Sequence, residues 1–470
     1  MTCGAILLVG LALATLSFVL GVQGRTLAGF HFGGDFAAFY VAGKILNEYE
    51  PEGIYDLDLQ YRLYHELRPD LPGDLALPYA YPPFLALFFS LLARLSYPAA
   101  YAVWLLVSGA LYLAGLALIW PESARRGAGG TGQSCDEQTV AAAQTLSPKG
   151  SLPKPSLGEY SRTMLLVCLS FPPFLFECWI GGQLSSLGFF GLALCLRLAQ
   201  SARHMASGAA LSICLYKPSL LLLLVPMVSA SRQWSTLAGL AAGALALGAI
   251  SAAGAGWGAA SAWLSTLRLY GRLAGSQTSP FRLFKFVDAN SFLALLTGAP
   301  PVIRGALLAI PLWVAAALLA AQWWRSAGRQ EDSRRALWAA TIAWTLVFNL
   351  YVPIYDTTLA VLSGLLMMDV IARRREELGP QMEKKVYALF LALHLTAWFS
   401  QGLARLCGFQ VYTILLVALG VWALRLAKTL DAAAQQKNAP QTRASSPDSS
   451  TESPRSLKAE ASDAALSAGS

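Results

Sequence analysis

Seven positions stand out in a largely apolar chain. Asp35 lies in HFGGDFAAFYVAGKIL, behind two glycines and ahead of an aromatic-rich helical pattern. Glycines let the backbone approach a ligand closely, and a carboxylate held at an apolar boundary is desolvated, which raises its pKa toward the range of a general base. The same aspartate also fits as the cap of a helix beginning at Phe36. Lys217 precedes Pro218 inside SICLYKPSLLLLL, where an ammonium is costly and marks a functional site by default, although a lysine there can also snorkel to the surface. Arg282 and Lys285 alternate with Phe281, Phe284 and Phe286, which suits an anionic ligand or an interfacial amphipathic helix. Gln183, in GGQLSS, offers an amide to a hydroxyl-bearing ligand or simply starts a helix. Asp356, in YVPIYD, either caps a helix from Thr357 or sets a second carboxylate at a site mouth. Tyr40 shares a helix face with Phe36 and Phe39, expected to lie along a membrane surface, and adds a phenol for substrate contact.

Other chemistries have no support. The seven cysteines and four histidines are scattered without CxxC or HExxH spacing, and GxxxxGK[ST] and GxSxG do not occur. No tightly bound metal or other cofactor is expected. If a divalent cation bound, Asp35 with a neighbour such as Asp56 in the acidic loop would be the place for it. The net charge of +8 is explained by basic clusters at helix ends, so no nucleic acid is invoked.

The elements that must position these residues are membrane helices. Of 470 residues, 55% are hydrophobic and 13% charged, and the mean hydropathy is +0.49. A hydrocarbon core about 30 Å thick needs roughly 20 apolar residues per helix. Such runs recur near 4–22, 99–120, 162–178, 184–198, 205–229, 237–253, 302–323, 337–352, 357–371, 386–399 and 411–426. They lack the two-residue alternation of barrel strands, so the fold is expected to be all-α and polytopic, with about 10–13 transmembrane helices. The first run lacks a basic leader and is read as a helix, not a cleaved signal. The shorter run 83–95 is a complete helix, a broken one or an interfacial one, and 205–229 is one helix or a hairpin broken at Lys217–Pro218.

The membrane domain is expected to occupy 1–430, with an acidic outer loop over 24–82 and a flexible connection over 121–160. The remainder, 431–470, reads as a disordered cytoplasmic tail. Arg125–Arg126, Arg325 to Arg335 and Arg373–Arg375 with Lys384–Lys385 place their helix ends in the cytoplasm.

Four segments together resemble glycosyltransferase family 87: GGDFAAFYVAGKILNEYEPEGIYD, YAYPPFLALFFSLLARLSYPAAYAVW, GGQLSSLGFFGLAL and AALSICLYKPSLLLLL. The resemblance covers about 32–355. It implies a GT-C-like fold in the plasma (inner) membrane with its active site on the outer face. The implied reaction moves mannose or another hexose or pentose from a polyprenyl-phosphate donor to a lipid or glycan acceptor, with inversion. On this reading Asp35 is the general base, Lys217, Arg282 and Lys285 hold the donor phosphate, and Gln183, Tyr40 and Asp356 contact substrate. A polytopic transporter or lipid-linked-sugar flippase is the alternative, although the halves show no convincing repeat.

Overall fold

The computed structural model describes residues 33–69, 78–121, 164–275, 282–326 and 330–438, with the isolated positions 12 and 16 before them. The first apolar run, the connection 121–160 beyond Pro121, and the tail beyond residue 438 therefore fall outside the described residues. What is described is helical throughout, with one isolated bridge between Phe286 and Pro353.

Two helices form the first loop, α1 (Phe36–Glu48) and α2 (Leu57–Leu67). Proline sets the start of each of the next two, α3 (Pro83–Leu92) and α4 (Tyr97–Ile119), where a missing N–H costs nothing. In α4 the buried side chains Ala100, Trp104, Ser108, Tyr112 and Leu116 recur every four residues. This stripe faces the protein, while Leu106 and Leu113 on the other side are exposed as apolar surface, as suits lipid.

A helical hairpin follows: α5 (Met164–Ile180), π-helical from Pro173, and α6 (Ser185–Gln200) turn through 119° about residues 181–184. The run 205–229 is a single broken path, comprising α7 (His204–Leu211), two short 3-10 turns meeting at Lys217, and α8 (Leu224–Ala230). Lys217 itself has φ −136° and ψ 84°, outside helical geometry.

The next helix, α9 (Trp234–Gly275), would span about 63 Å if straight, twice the hydrocarbon thickness. Gly256, at φ +77° and ψ 166°, breaks it. Its second part is tied down where the Trp263 indole donates to the Ala80 carbonyl at 3.2 Å. Beyond lie α10 (Ala289–Thr297), α11 (Pro301–Arg325), α12 (Glu331–Val347), α13 (Ala360–Arg373), α14 (Arg375–Ala397), α15 (Ser400–Cys407) and α16 (Val411–Asn438). Helices α12 and α13 are almost wholly buried, whereas α9 and α11 show long apolar faces to the outside.

Five helices among the described residues are long and apolar enough to cross a membrane, or seven if each bent pair is one span. This multi-pass all-α architecture agrees with the expectation from sequence. That count leaves out the run 4–22, outside the described residues, the short or broken helices of 83–95 and 205–229, and 337–352, which belongs to the 17-residue α12.

Two further expectations change. Helix α1 does not lie along a membrane surface: Phe36, Phe39 and Tyr40 are all buried, and the helix packs on α3. Nor does the ordered chain stop at residue 430. Helix α16 runs on to Asn438, and the Asp431 carboxylate on it accepts from Ser333 Oγ at 2.8 Å.

The two ends of the bundle differ in kind. Irregular backbone gathers at one end, at 78–82, 181–184, 217, 282–288 and 348–353. Such backbone is tolerated at membrane depth only where protein or a cavity satisfies it. At the other end, helix-terminal arginines are locked into ion pairs. Arg335 pairs with Glu331 and Asp369, Arg373 with Asp369, Arg374 with Asp332, and Arg375 with Glu383.

Candidate active site

Two glycine turns meet at the irregular end, Gly33–Gly34–Asp35 against Gly181–Gly182–Gln183. The Gly33 amide donates to the Ile180 carbonyl at 3.0 Å, and the amides of Asp35 and Phe36 both donate to the Gly181 carbonyl, at 3.1 and 3.2 Å. Closeness demands glycine at Gly182. Its φ is +83°, and a Cβ there would stand 2.5 Å from Phe36 Cβ. An aromatic frame holds the outward carbonyls: Tyr97 donates to Gly33 O at 2.7 Å, Tyr64 to Gly34 O at 3.0 Å, and the Trp104 indole to Gly182 O at 3.1 Å.

This anchoring uses the Asp35 amide and leaves its carboxylate to the side chain of Gln183. Asp35 is the residue before α1, yet its side chain makes no capping bond. Burial pushes its pKa up from 3.8 to about 6, while the charge of Lys285 and a hydrogen bond from Gln183 pull it down and the charge of Glu177 adds to the rise. The result is a base stronger than an ordinary carboxylate and still mostly ionised at neutral pH.

A second carboxylate sits across the site. Asp356 lies in a 3-10 turn, Ile354–Leu359, and does not cap a helix. One of its oxygens accepts from Ser185 Oγ at 2.8 Å and the other from the Lys217 ammonium. Asp356 is 1% exposed and the Lys217 side chain 17%, so the pair is largely removed from water. The ammonium also lies 5.7 Å from the centre of the Tyr355 ring. Lys217 thus reaches inward and does not snorkel. Its chain break and its burial are linked, because the non-helical turn aims the side chain at Asp356.

Gln183 and Tyr81 join the halves. Gln183 is 3% exposed, and its Oε1 faces the Tyr81 hydroxyl at 3.5 Å while its amide serves Asp35. Burial and the charges of Asp356 and Asp35 keep the Tyr81 phenol well above its usual pKa, so it remains a neutral donor. Tyr81 stacks on Tyr216 with ring centres 6.5 Å apart. The arrangement is a carboxylate base on one side, a cation held by a second carboxylate on the other, and neutral hydrogen-bonding groups between them.

Of the residues singled out by sequence, Asp35, Gln183, Lys217, Asp356 and Lys285 come together here. Arg282 is exposed at the start of the strip leading to Lys285. Tyr40 is buried and its hydroxyl donates to the Leu95 carbonyl at 2.8 Å, so its polar atom is occupied. Asp56 spends its carboxylate capping α2, accepting from the amides of Asp58 and Leu59. Among the described residues no group of three His, Cys, Asp or Glu side chains is placed to hold a metal ion.

Four contributors are not apparent from motif reading: Ser185, Tyr81, Tyr355 and Glu177. Glu177 is 8% exposed on π-helical backbone and accepts from Gln401 Nε2 at 2.7 Å. Its position in FLFECWI is the signal that sequence offers, since an ionisable residue inside an apolar run is costly.

The profile of glycosyltransferase family 87 matches residues 79–353. Neither a curated protein nor a solved structure matches the chain. The matched stretch contains Tyr81, Glu177, Gln183, Ser185, Lys217 and Lys285, and Asp35 and Asp356 flank it in sequence while meeting it in space. It spans more than half of the 470 residues, and the chain belongs to glycosyltransferase family 87.

Proposed function

We propose that this membrane glycosyltransferase takes its sugar from a polyprenyl phosphate and passes it, with inversion, to a lipid or glycan hydroxyl, using Asp35 as general base. The observation that carries the reading is the buried Asp35 carboxylate, raised to about 6 and bonded by Gln183, with Tyr81 close both to it and to the Asp356 that pairs with Lys217. In the step, the acceptor oxygen attacks the anomeric carbon as its proton passes to Asp35. The bond from that carbon to the phosphate oxygen breaks, and the electron pair leaves on the lipid phosphate. A phosphate monoester is a stable anion, so it needs positive charge more than it needs an acid. Lys217 and Lys285 supply that charge, and Arg282 lies at the approach.

In this scheme Asp356 holds Lys217 extended and desolvated until the donor phosphate arrives, and Ser185 keeps Asp356 in place. Gln183 orients Asp35 and offers a contact to sugar or acceptor. The arginine-rich opposite end is cytoplasmic by the positive-inside rule, which supports a site on the outer face of the plasma membrane.

Purified protein in nanodiscs, incubated with radiolabelled polyprenyl-phosphate mannose, then arabinose and other pentose or hexose donors, and extracted membrane acceptors, tests this function. Label moving from donor into an acceptor supports it. Transfer from a nucleotide sugar and from no lipid-phosphate sugar would contradict the donor assignment, and movement of intact donor across the bilayer would favour the flippase alternative.

A further inference from the structure

Glu177 is a buried carboxylate that the transfer step described above leaves without a task. It is 8% exposed, and among the described residues no lysine or arginine forms an ion pair with it. Its one hydrogen bond comes from a neutral group, the Gln401 amide donating to Oε1 at 2.7 Å, and Oε2 accepts none. A carboxylate in an apolar run is costly without a cation, and such a residue marks a functional site by default.

Its place is beside the base. Glu177 stands one turn before Gly181, whose carbonyl receives the Asp35 amide at 3.1 Å, and its charge raises the pKa of Asp35. The backbone is π-helical over Pro173–Ile180, so that the Gly181 amide reaches back five residues to the Phe176 carbonyl. Bulges of this kind re-aim side chains and are frequent at functional sites. Gln401 arrives on α15, after a 66° bend in the chain. This region is fastened to the strip that carries Lys285: Gln410 Nε2 donates to the Phe284 carbonyl at 3.0 Å, and the Arg405 guanidinium is turned to the Phe284 ring, 5.9 Å from its centre. Ser400, beside Gln401, is fully buried and its hydroxyl has no partner. Hydrogen-bonding capacity is therefore left over on the Asp35 side of the site.

The chemistry of these groups selects the ligand. A carboxylate accepts hydroxyl protons, an amide both donates and accepts, and O–H bonds to an ionised carboxylate are the stronger kind. Two carboxylates on one side also repel an anion, while the positive charge of Lys217 and Lys285 serves the donor phosphate. We propose that Glu177 and Gln401 form an acceptor subsite that binds a second hydroxyl of a neutral polyol, next to the hydroxyl that Asp35 deprotonates. The subsite rests on the transferase reading and narrows its acceptor to an uncharged sugar or other polyol.

Membrane extracts separated by anion exchange into neutral and anionic acceptors, offered to the full chain in nanodiscs with radiolabelled polyprenyl-phosphate mannose and the other lipid-phosphate donors, test it. The assay is run at about pH 8, where Asp35 is ionised whether or not Glu177 is present. Wild type is expected to label the neutral fraction. Glu177→Gln is expected to raise the KM for that fraction about tenfold, with the donor KM and the slow transfer to water unchanged. Labelling of the anionic fraction by wild type, or an unchanged acceptor KM in a folded Glu177→Gln variant, overturns the subsite. Parallel rises in the donor and acceptor KM would make Glu177 a structural support and overturn it as well. If the variant does not accumulate, the fraction that wild type labels decides alone. Absence of label from every lipid-phosphate donor refutes the transferase reading and the subsite with it, whereas label in the wrong fraction refutes the subsite alone.

Discussion

Lys217 donates to the buried carboxylate of Asp356, a residue 139 positions away in the chain, and that single contact ties the broken helix path α7 to α8 to the turn that opens α13. A buried pair of this kind punishes the loss of one partner more than the loss of both. Lys217→Met leaves the Asp356 carboxylate with Ser185 alone and is expected to cost about 3 kcal/mol. Asp356→Asn keeps an acceptor for Ser185 and should cost less. The double variant Lys217→Met with Asp356→Leu should recover most of the stability and none of the transfer. Thermal unfolding in detergent, run beside the transfer assay, separates the two effects. Equal stability of wild type and Lys217→Met would show that the pair contributes nothing to the fold.

The glycine docking makes a second prediction. Gly182→Ala demands a Cβ at 2.5 Å from Phe36 Cβ and a left-handed backbone, so it should cost about 2 kcal/mol and displace the Asp35 turn. Gly256→Ala is the comparison, since it shares the positive φ but meets nothing within 4 Å. Its cost, about 2 kcal/mol, comes from the backbone alone, because φ +77° with ψ 166° is a conformation essentially reserved for glycine. Transfer per folded molecule should fall for Gly182→Ala and hold for Gly256→Ala. The opposite order would mean that the two turns do not need their close approach.

The pH profile tests the environment of Asp35. A base must be ionised, so kcat/KM should fall on the acid side with a midpoint near pH 6, well above the 3.8 of an ordinary aspartate. The neighbours act in opposite directions. Gln183→Leu and Lys285→Gln remove influences that lower this pKa and should move the midpoint up, whereas Glu177→Gln removes one that raises it and should move the midpoint down. A midpoint near 4 that ignores all three substitutions would place the essential base elsewhere.

The same shift bears on stability. Because the folded-state pKa is raised, the folded protein binds more protons than the unfolded chain between about pH 3.8 and 6, and the contribution of Asp35 to stability falls as pH rises through that window. Asp35→Asn abolishes that penalty, so at pH 7 it should melt no lower than wild type, and higher if its amide keeps the bond to Gln183. At pH 4 the difference should shrink. A lower melting temperature at pH 7 would indicate that the carboxylate is needed for folding.

Much of this site is legible in the chain itself. Asp35 is marked by its glycines and Lys217 by the cost of a charge in an apolar run, and each marking reflects local chemistry. The helical class follows from composition and from runs without two-residue alternation. What local patterns do not reach is partnership. Ser185 and Asp356 are 171 residues apart, and nothing near either one announces the other. Glu177 carries the same signal as Lys217, in a run bracketed by Pro172–Pro173 and Gly181–Gly182, but its partner Gln401 is 224 residues away and nothing local announces it. The helix breaks are hidden for a related reason. Hydropathy registers apolar length, whereas the breaks at 181–184 and Lys217 depend on packing around the site.

The central claim is that Asp35 takes the acceptor's proton, and single-turnover transfer of radiolabelled sugar by Asp35→Asn, beside wild type at matched folded concentration, tests it most directly. The expected result is a loss of about 10²- to 10⁴-fold in the rate of transfer, with donor binding and melting temperature retained. Transfer at the wild-type rate by a folded Asp35→Asn protein would contradict it.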